Sequence, residues 1–224
     1  MSDKSVVIVA GGSGTRMNSP VPKQFMLLND RPLLMHTINT FYDYDSRINI
    51  IVVLSESESE RWKQLIVKHN FIIPHTIAFG GSNRFQSVKN GLAKILNTDS
   101  VAIHDGVRPL CSIALIKKCF EEAEKFSNAI PSIPLSDSIR EINSERNITV
   151  DRQKLRIVQT PQCFDFAKLK QAYELATHEN FTDDAGVFEA AGNKIHLVDG
   201  EKMNIKITEA SDLTVASALM STKY

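Results

Sequence analysis

A chain of 224 residues, 42% of them apolar and three of them cysteine, can bury a core without disulfide staples. Its 26 Lys+Arg balance 26 Asp+Glu, and zero formal charge argues against a surface built to hold nucleic acid or an acidic membrane. A small basic pocket for one phosphorylated metabolite stays compatible with that balance.

Cys111, Cys119 and Cys163 form no C-x-x-C pair, so neither a zinc site nor a thioredoxin-type centre has support. They read as buried thiols of a reducing compartment. The first apolar run, Val6-Val-Ile-Val-Ala10, is cut off by Gly11-Gly12 and is too short for a signal peptide. No stretch approaches the roughly 20 apolar residues of a membrane span. A cytoplasmic protein is expected.

In chain order, residues 5–10 read as a strand, and the loop Ala10-Gly-Gly-Ser-Gly-Thr-Arg-Met17 follows it directly. Glycines there let backbone N–H groups approach a phosphate chain. A dinucleotide fingerprint would need glycine at Met17, and a Walker loop would need Gly-Lys-Ser/Thr; neither is present. What remains is a glycine loop that delivers Arg16 and then Lys23, in Pro22-Lys-Gln24. Two cations beside an anion nest suit a polyphosphate whose charge rises during reaction. A plain turn with surface cations is the structural alternative.

Residues 49–54 read as the next strand, and Ser55–Arg61 as an acidic helix start. A third strand, 77–79, leads into Gly80-Gly-Ser-Asn-Arg-Phe-Gln-Ser-Val88. That segment opens a helix on which Val88, Leu92, Ile95 and Leu96 share a face. Its first turn offers donors to a base or ribose; capping by Ser82 or Ser87 is the alternative. The strand 101–104 ends in His104-Asp-Gly-Val-Arg-Pro109. Asp105 could accept from a ribose hydroxyl or help hold Mg²⁺, and Arg108 could meet a phosphate. His104 reads as a buried histidine satisfied by backbone rather than as a base.

Ile113, Ile116, Phe120 and Ala123 mark one face of a further helix, and 130–133 the strand after it. Residues 134–151 break the alternation with two short β-like halves around a polar turn at 144–147. An exposed hairpin fits that pattern, and it needs a surface to pack on, such as a second subunit. Beyond it come Gln159-Thr-Pro-Gln162, Thr182-Asp-Asp184 and Asn204-Ile-Lys-Ile-Thr208, with strands expected at 195–198 and 205–207. Thr182 makes a good N-cap, with Gly192 past the end of its helix. Lys206 is either an edge lysine facing water or one aimed into a phosphate site. The alternation as a whole predicts an α/β fold, a mainly parallel sheet with helices on both faces and ligands at the carboxyl ends of its strands.

The motifs A-x-G-x-G-x-R-M, P-K-Q, G-G-x-x-R-x-x-S-V, H-D-x-x-R-P, D-[ST]-I, D-R-x-x-L, Q-T-P-Q-x-F, T-D-D-A and N-I-K-I-T occur in this order over nearly the whole chain. Together they resemble the 2-C-methyl-D-erythritol 4-phosphate cytidylyltransferase family of the non-mevalonate isoprenoid pathway. The resemblance implies a Rossmann-like nucleotidyltransferase, residues 1–224 forming one domain whose protruding hairpin, 136–151, is the arm of a homodimer. It implies transfer of CMP from CTP to a sugar-alcohol phosphate, with Mg²⁺ held largely by the CTP phosphates and with no nucleic acid or membrane as partner. By similarity, Arg16 and Lys23 stabilise the transition state. Ala10, Gly11, Gly12, Ser13 and Gly14 wrap the triphosphate, while Gly81, Ser82, Ser87, Asp105 and Gly106 hold cytosine and ribose. Arg152 and Lys206 position the acceptor phosphate with Arg108, Ser138, Thr160 and Thr182, and Ser138 and Arg152 serve the neighbouring subunit's site.

The chain departs from the family pattern at Gly11, where alanine is frequent, at Gly106-Val107, where Ala-Ala is common, and at Ser138, where threonine is usual. All are exchanges of small residues. Arg156 follows Leu155 where tryptophan is frequent. Two other readings compete: a ribitol 5-phosphate cytidylyltransferase, which shares the nucleotide half, and a catalytically silent nucleotide-binding regulatory module. The stretches Thr182-Asp-Asp-Ala-Gly-Val-Phe-Glu189 and Asp151-Arg-Gln-Lys-Leu155 look more like the methylerythritol enzyme. The presence of Arg16, Lys23 and Lys206 argues against the silent module.

Overall fold

The first apolar run forms β1 (Lys4–Val9), in a computed structural model that describes residues 3–12, 21–143 and 146–221. A two-residue turn with positive φ at Asn29 and Asp30 joins β2 (Leu27–Leu28) to β3 (Arg31–Pro32), the backbone that suits tight hairpins. Then come α1 (Leu33–Tyr44), β4 (Asn49–Leu54), α2 (Ser59–Lys68), β5 (Thr76–Phe79), α3 (Arg84–Leu92), β6 (Ser100–Asp105) and α4 (Ile113–Phe126). The second half holds β7 (Asn128–Pro134), β8 (Arg140–Ile142), β9 (Asn147–Thr149), β10 (Arg156–Val158), β11 (Gln162–Asp165), α5 (Phe166–Leu175), α6 (Asp184–Ala190), β12 (Leu197–Asp199) and α7 (Ala210–Ser221).

The main sheet runs β10-β7-β11-β6-β1-β4-β5, with β12 pairing β7. Its β5-β4-β1-β6 half is parallel, and β11 and β7 continue it antiparallel. The chain winds outward from β1 to β5, then crosses back to place β6 on the other side of β1. That reversal leaves a crevice at the carboxyl ends of β1 and β6, where open α/β sheets bind ligands. Register brings Val9 opposite both Val53 and Asp105, so the loops after β1, β4 and β6 leave the sheet at one level.

Alternation along the strands sorts the core into two layers. Val6 and Ile8 face α1, α2 and α4, packing with Ile38, Phe41, Trp62 and Phe120. Val7 faces the opposite layer, with Phe85, Val88, Leu169 and Phe188 of α3, α5 and α6. A third cluster, Leu28, Leu33, Val107, Leu110, Ile207 and Ala216, seats α7 beside the first hairpin. Gly91 lets α3 press onto the sheet: a Cβ there would lie 2.5 Å from Val7 Cγ1 and 2.9 Å from Val53 Cγ2.

Three local expectations are corrected. Residues 205–207 are not a strand; Ile207 N–H donates to Val107 O at 2.9 Å, but no ladder forms. The helix of Val88 ends at Leu92, so Leu96 is exposed rather than on its buried face. Ile113 opens α4 half-exposed, while Ile116, Phe120 and Ala123 are buried as expected. The break at 134–151 does contain a hairpin, β8 with β9, separate from the main sheet, and part of its turn lies outside the described residues. The three cysteines are buried and unbridged. Among the described residues no helix is long and apolar enough to cross a membrane.

Candidate active site

A cavity of about 430 Å³ opens at the β1–β6 crevice. Ala10, Gly11 and Gly12 floor it, Gly81, Ser82 and Ser87 line one wall, and Asp105, Lys23 and Lys206 bring charge to it. Lys23 stands on a short 3-10 turn, Lys23–Phe25, that Pro22 opens and Phe25 anchors by stacking on Trp62 at a centroid distance of 5.9 Å. Ser13, Gly14 and Arg16 lie outside the described residues. Gly106 sits behind the loop rather than on the cavity. Its N–H donates to Val9 O at 2.9 Å, and its carbonyl accepts from Thr37 Oγ1 at 3.1 Å. A Cβ on it would meet Ala10 Cβ at 2.9 Å, so a side chain there would push the first loop outward.

The start of α3 is organised differently from the capping alternative. Asn83 is the N-cap, its side chain accepting from Gln86 N–H at 2.9 Å. Ser87 instead donates to Asn83 O at 2.8 Å and accepts the Gly81 N–H at 3.1 Å, bracing the glycine turn. Gly81 needs its missing side chain, since a Cβ would approach Gln86 Cβ to 2.3 Å.

A second cavity of about 260 Å³ adjoins the first and shares Arg84, Asp105 and Lys206 with it. Arg108, Thr160 and Thr182 line its remaining sides. Asp183, not Thr182, caps α6, accepting from Gly186 N–H at 3.0 Å; Thr182 thus faces the cavity without a capping duty. Ser138 on the arm and Arg152 just after it are exposed and outside both cavities of their own chain, and Arg152 donates to Ser136 O.

Asp105 is the hub between the cavities. Its Oδ2 lies 3.0 Å from Lys206 Nζ and 3.3 Å from Arg108 Nε. Burial would push its carboxyl up, but Lys206, Arg84 and Arg108 outweigh that and hold it well below the usual carboxylate range. Arg108 Nη1 donates to Asn204 O at 2.8 Å, and Asn204 Nδ2 to Thr160 O at 2.8 Å. With Asn204 and Ile207 both fully buried, Lys206 between them reaches Asp105 while its side chain stays partly exposed at the cavity. Thr160 Oγ1 accepts the Asp105 N–H at 3.1 Å and meets His104 Nδ1 at 3.1 Å.

His104 is fully buried, with Nε2 3.2 Å from Arg108 O. Burial pushes it down to about 4, so it is neutral at pH 7 and serves as a strut. Among the described residues no group of three or more His, Cys, Asp or Glu could hold a metal ion. Asp105 is the carboxylate that both cavities share, and carboxylate oxygens are the donors a hard divalent cation takes.

Sequence reasoning passed over Arg84 and its partner. Arg84 forms a two-pronged pair with Asp184, Nη1 to Oδ1 at 3.0 Å and Nη2 to Oδ2 at 2.6 Å. The available signal was two opposite charges, each two residues after a candidate ligand residue, Arg84 after Ser82 and Asp184 after Thr182. Gln162 stands behind the pair; its Oε1 accepts the Asp184 and Ala185 N–H groups at 3.1 and 2.9 Å.

Comparison with known proteins agrees with this layout. The family model described as IspD, 2-C-methyl-D-erythritol 4-phosphate cytidylyltransferase, matches residues 5–222. The chain is similar to the protein of that name from Azobacteroides pseudotrichonymphae, 48% identical over 223 residues, covering 98% of this chain and 100% of the relative. That from Bacteroides thetaiotaomicron is 45% identical over 217 residues, covering 97% and 99%. Among solved structures, 4-diphosphocytidyl-2C-methyl-D-erythritol synthase from Anaerococcus prevotii superposes with a TM-score of 0.83 at 28% identity, covering 98% of this chain and 99% of that one. The Thermus thermophilus cytidylyltransferase gives 0.81 at 28% identity, with 99% and 100% covered.

Proposed function

Because the chain belongs to the 2-C-methyl-D-erythritol 4-phosphate cytidylyltransferase family, we propose that it transfers CMP from CTP to 2-C-methyl-D-erythritol 4-phosphate. The products are 4-diphosphocytidyl-2-C-methyl-D-erythritol and pyrophosphate, in isoprenoid precursor biosynthesis. The observation that carries this reading is the pair of cavities with a common wall of Arg84, Asp105 and Lys206. One is floored by the glycine loop and suits a nucleoside triphosphate; the other is smaller, cationic and hydroxyl-lined, and suits a sugar-alcohol phosphate.

The acceptor phosphate is already a nucleophile at neutral pH, so no general base is required, in keeping with a neutral, buried His104. A phosphate oxygen attacks the α-phosphorus. The new P–O bond forms as the bond to the β-phosphate bridge breaks, and pyrophosphate leaves with the electron pair. Two anions must approach, and negative charge builds on the α-phosphate and the leaving group, so fixed cations dominate catalysis. Lys23 from the nucleotide side, with Arg16, stabilises that charge. Lys206 and Arg108 receive the acceptor phosphate beside Thr182, while Thr160 holds the Asp105 backbone in register. Mg²⁺ held by the triphosphate, with Asp105 as its protein carboxylate, would neutralise charge on the phosphates.

The arm fits a homodimer. Ile142 and Ile148 of the arm, Leu155 after it, and Ile157 and Val158 of the adjoining β10 are all exposed, an apolar surface of the kind that marks an interface. A second copy covering it would bring Ser138 and Arg152 towards the partner's acceptor cavity.

Pyrophosphate release from CTP and Mg²⁺ tests the reaction, with methylerythritol phosphate and ribitol 5-phosphate as parallel acceptors. Release with the first alone is expected. Release with ribitol phosphate alone would reassign the acceptor, and silence with both would favour a nucleotide-binding module without chemistry.

A further inference from the structure

The wall between the two cavities contains a cation whose placement is controlled from behind. Arg84 opens α3 and lines both the nucleotide and the acceptor cavity. Its two Nη atoms grip the Asp184 carboxylate end-on at 3.0 and 2.6 Å. A guanidinium carries five N–H donors in one plane, so this grip leaves donors along its side for an anion while fixing the plane itself. Arg84 is about a quarter exposed, and Asp184 is fully buried.

Asp184 is itself held by two further residues. Tyr173 of α5 donates its hydroxyl to Asp184 Oδ1 at 2.6 Å. Gln162 accepts the Asp184 N–H at 3.1 Å, and through its other end donates to Asp183 Oδ2 at 2.9 Å. The Tyr173 ring stacks on Phe85 at a centroid distance of 4.7 Å, joining it to the residue beside Arg84. Burial and the Asp184 charge both push the Tyr173 hydroxyl well above its ordinary value, so it stays a donor. A second latch runs parallel: Glu179, ahead of α6, accepts from Asn83 Nδ2 at 2.6 Å and from Gln86 Nε2.

We propose that Arg84 is a further phosphate-facing cation of the reaction centre, and that Asp184, clamped by Tyr173, is its positioning residue. The reasoning is chemical. A buried carboxylate paired two-pronged to a cavity-lining guanidinium, with a tyrosine donor on one oxygen, holds that cation at a defined angle and spares it a search when the phosphates arrive. The elements involved also divide the labour. Arg84 belongs to the helix that braces the nucleotide turn, whereas Asp184 belongs to the helix that follows Thr182 in the acceptor cavity. This inference rests on the cytidylyl transfer proposed above and adds residues to it.

The test is steady-state kinetics of the full-length protein with CTP and methylerythritol phosphate, beside thermal midpoints for every variant. Tyr173→Phe deletes one hydroxyl and keeps the ring, so the protein should fold. Its kcat/KM for the acceptor should fall about 3–10-fold, the net scale of one ordinary hydrogen bond, with CTP affinity within twofold of wild type. Asp184→Asn and Arg84→Met should each lower that kcat/KM by about 100-fold, the scale of one preorganised electrostatic contact, and Arg84→Lys should recover only part of it because a lysine cannot form the fork. A merely structural pair predicts lowered midpoints with unchanged kinetics in the folded range, and that result in Tyr173→Phe and Arg84→Met would overturn the role. A wild type that releases no pyrophosphate would overturn the reaction and this role with it. An active wild type matched by its variants would overturn this role alone.

Discussion

Lys206 Nζ stands 3.0 Å from Asp105 Oδ2, and Arg108 Nε approaches the same oxygen at 3.3 Å. The pair ties the irregular segment after β12 to the end of β6, so one carboxylate gathers two cations drawn from different parts of the chain. Lys206 is 40% exposed at its side chain, which leaves the ammonium able to turn to an incoming phosphate while Arg108 keeps Asp105 neutralised.

Lys206→Met should therefore fold and bind CTP within about threefold of wild type. Its kcat/KM for the acceptor should drop by about 100- to 1,000-fold, the loss expected when one preorganised charge is removed. Initial rates at varied acceptor and saturating CTP measure it. A fall in CTP affinity of the same size would instead place the lysine on the nucleotide.

Lys23 tests the nucleotide side of the same centre. The Phe25–Trp62 stack anchors the far end of its turn, so Lys23→Ala should leave the emission of Trp62, the chain's single tryptophan, unchanged. Turnover should fall by about 3–4 kcal/mol in transition-state free energy, as when one oxyanion donor is deleted. Near-normal kcat with native fluorescence would remove Lys23 from the transition state.

How much of this was legible in the sequence follows from which signals are local. The runs that became β1, β4 and β6 are rich in Val and Ile, buried on both faces, and end in glycine, serine or aspartate, so strand and strand-end loop were readable together. The same logic pointed to Gly81, Asp105, Arg108 and Lys206 as candidates, and these line the cavities. Pairings were not readable. Arg84 and Asp184 meet only because α3 and α6 pack on one side of the sheet, and no local pattern reports that. Cap choice was misread for a similar reason: Asn83 and Asp183 compete with neighbouring Ser82 and Thr182, and the winner depends on where the helix axis points. The Ile205-Lys-Ile207 alternation looked like a strand, but no partner backbone runs alongside it for a full ladder.

His104 carries a pH signature that can be isolated. An exposed histidine titrates near 6.5, and burial pushes His104 down to about 4. Between those values the unfolded chain binds a proton that the folded chain refuses. Stability is thus complete above about pH 6.5 and declines as pH falls towards 4, by about 3 kcal/mol in all. Asp105, held below the carboxylate range, loses its contribution only at lower pH, so the two windows separate. His36 and His75 are also held down by burial, which makes the difference between wild type and His104→Gln the informative quantity. Urea unfolding at pH 7, 5.5 and 4.5 should show the variant's stability changing less with pH than wild type's. Parallel slopes would mean that His104 titrates normally in the folded protein.

The arm offers the sharpest test of shared sites. Ile142 and Ile157 are 80% and 46% exposed, and burying such side chains contributes about 1.5–3 kcal/mol each. If the proposed dimer forms through the arm, Ile142→Asp with Ile157→Asp should move the protein from dimer to monomer in sedimentation at micromolar concentration and reduce turnover. Complementation then asks whose site Arg152 serves. Arg152→Ala and Lys206→Met are each expected to be nearly inactive alone. If Arg152 reaches the partner's acceptor cavity, a mixed dimer concentrates both defects in one site and leaves the other intact, because a two-fold interface exchanges the same contact in both directions. Equal mixing makes half the dimers mixed, with one good site in two, so activity should recover to about a quarter of wild type. Recovery would place Arg152 across the interface. A mixture as inactive as its parents, with dimers confirmed by sedimentation, would return Arg152 to its own subunit.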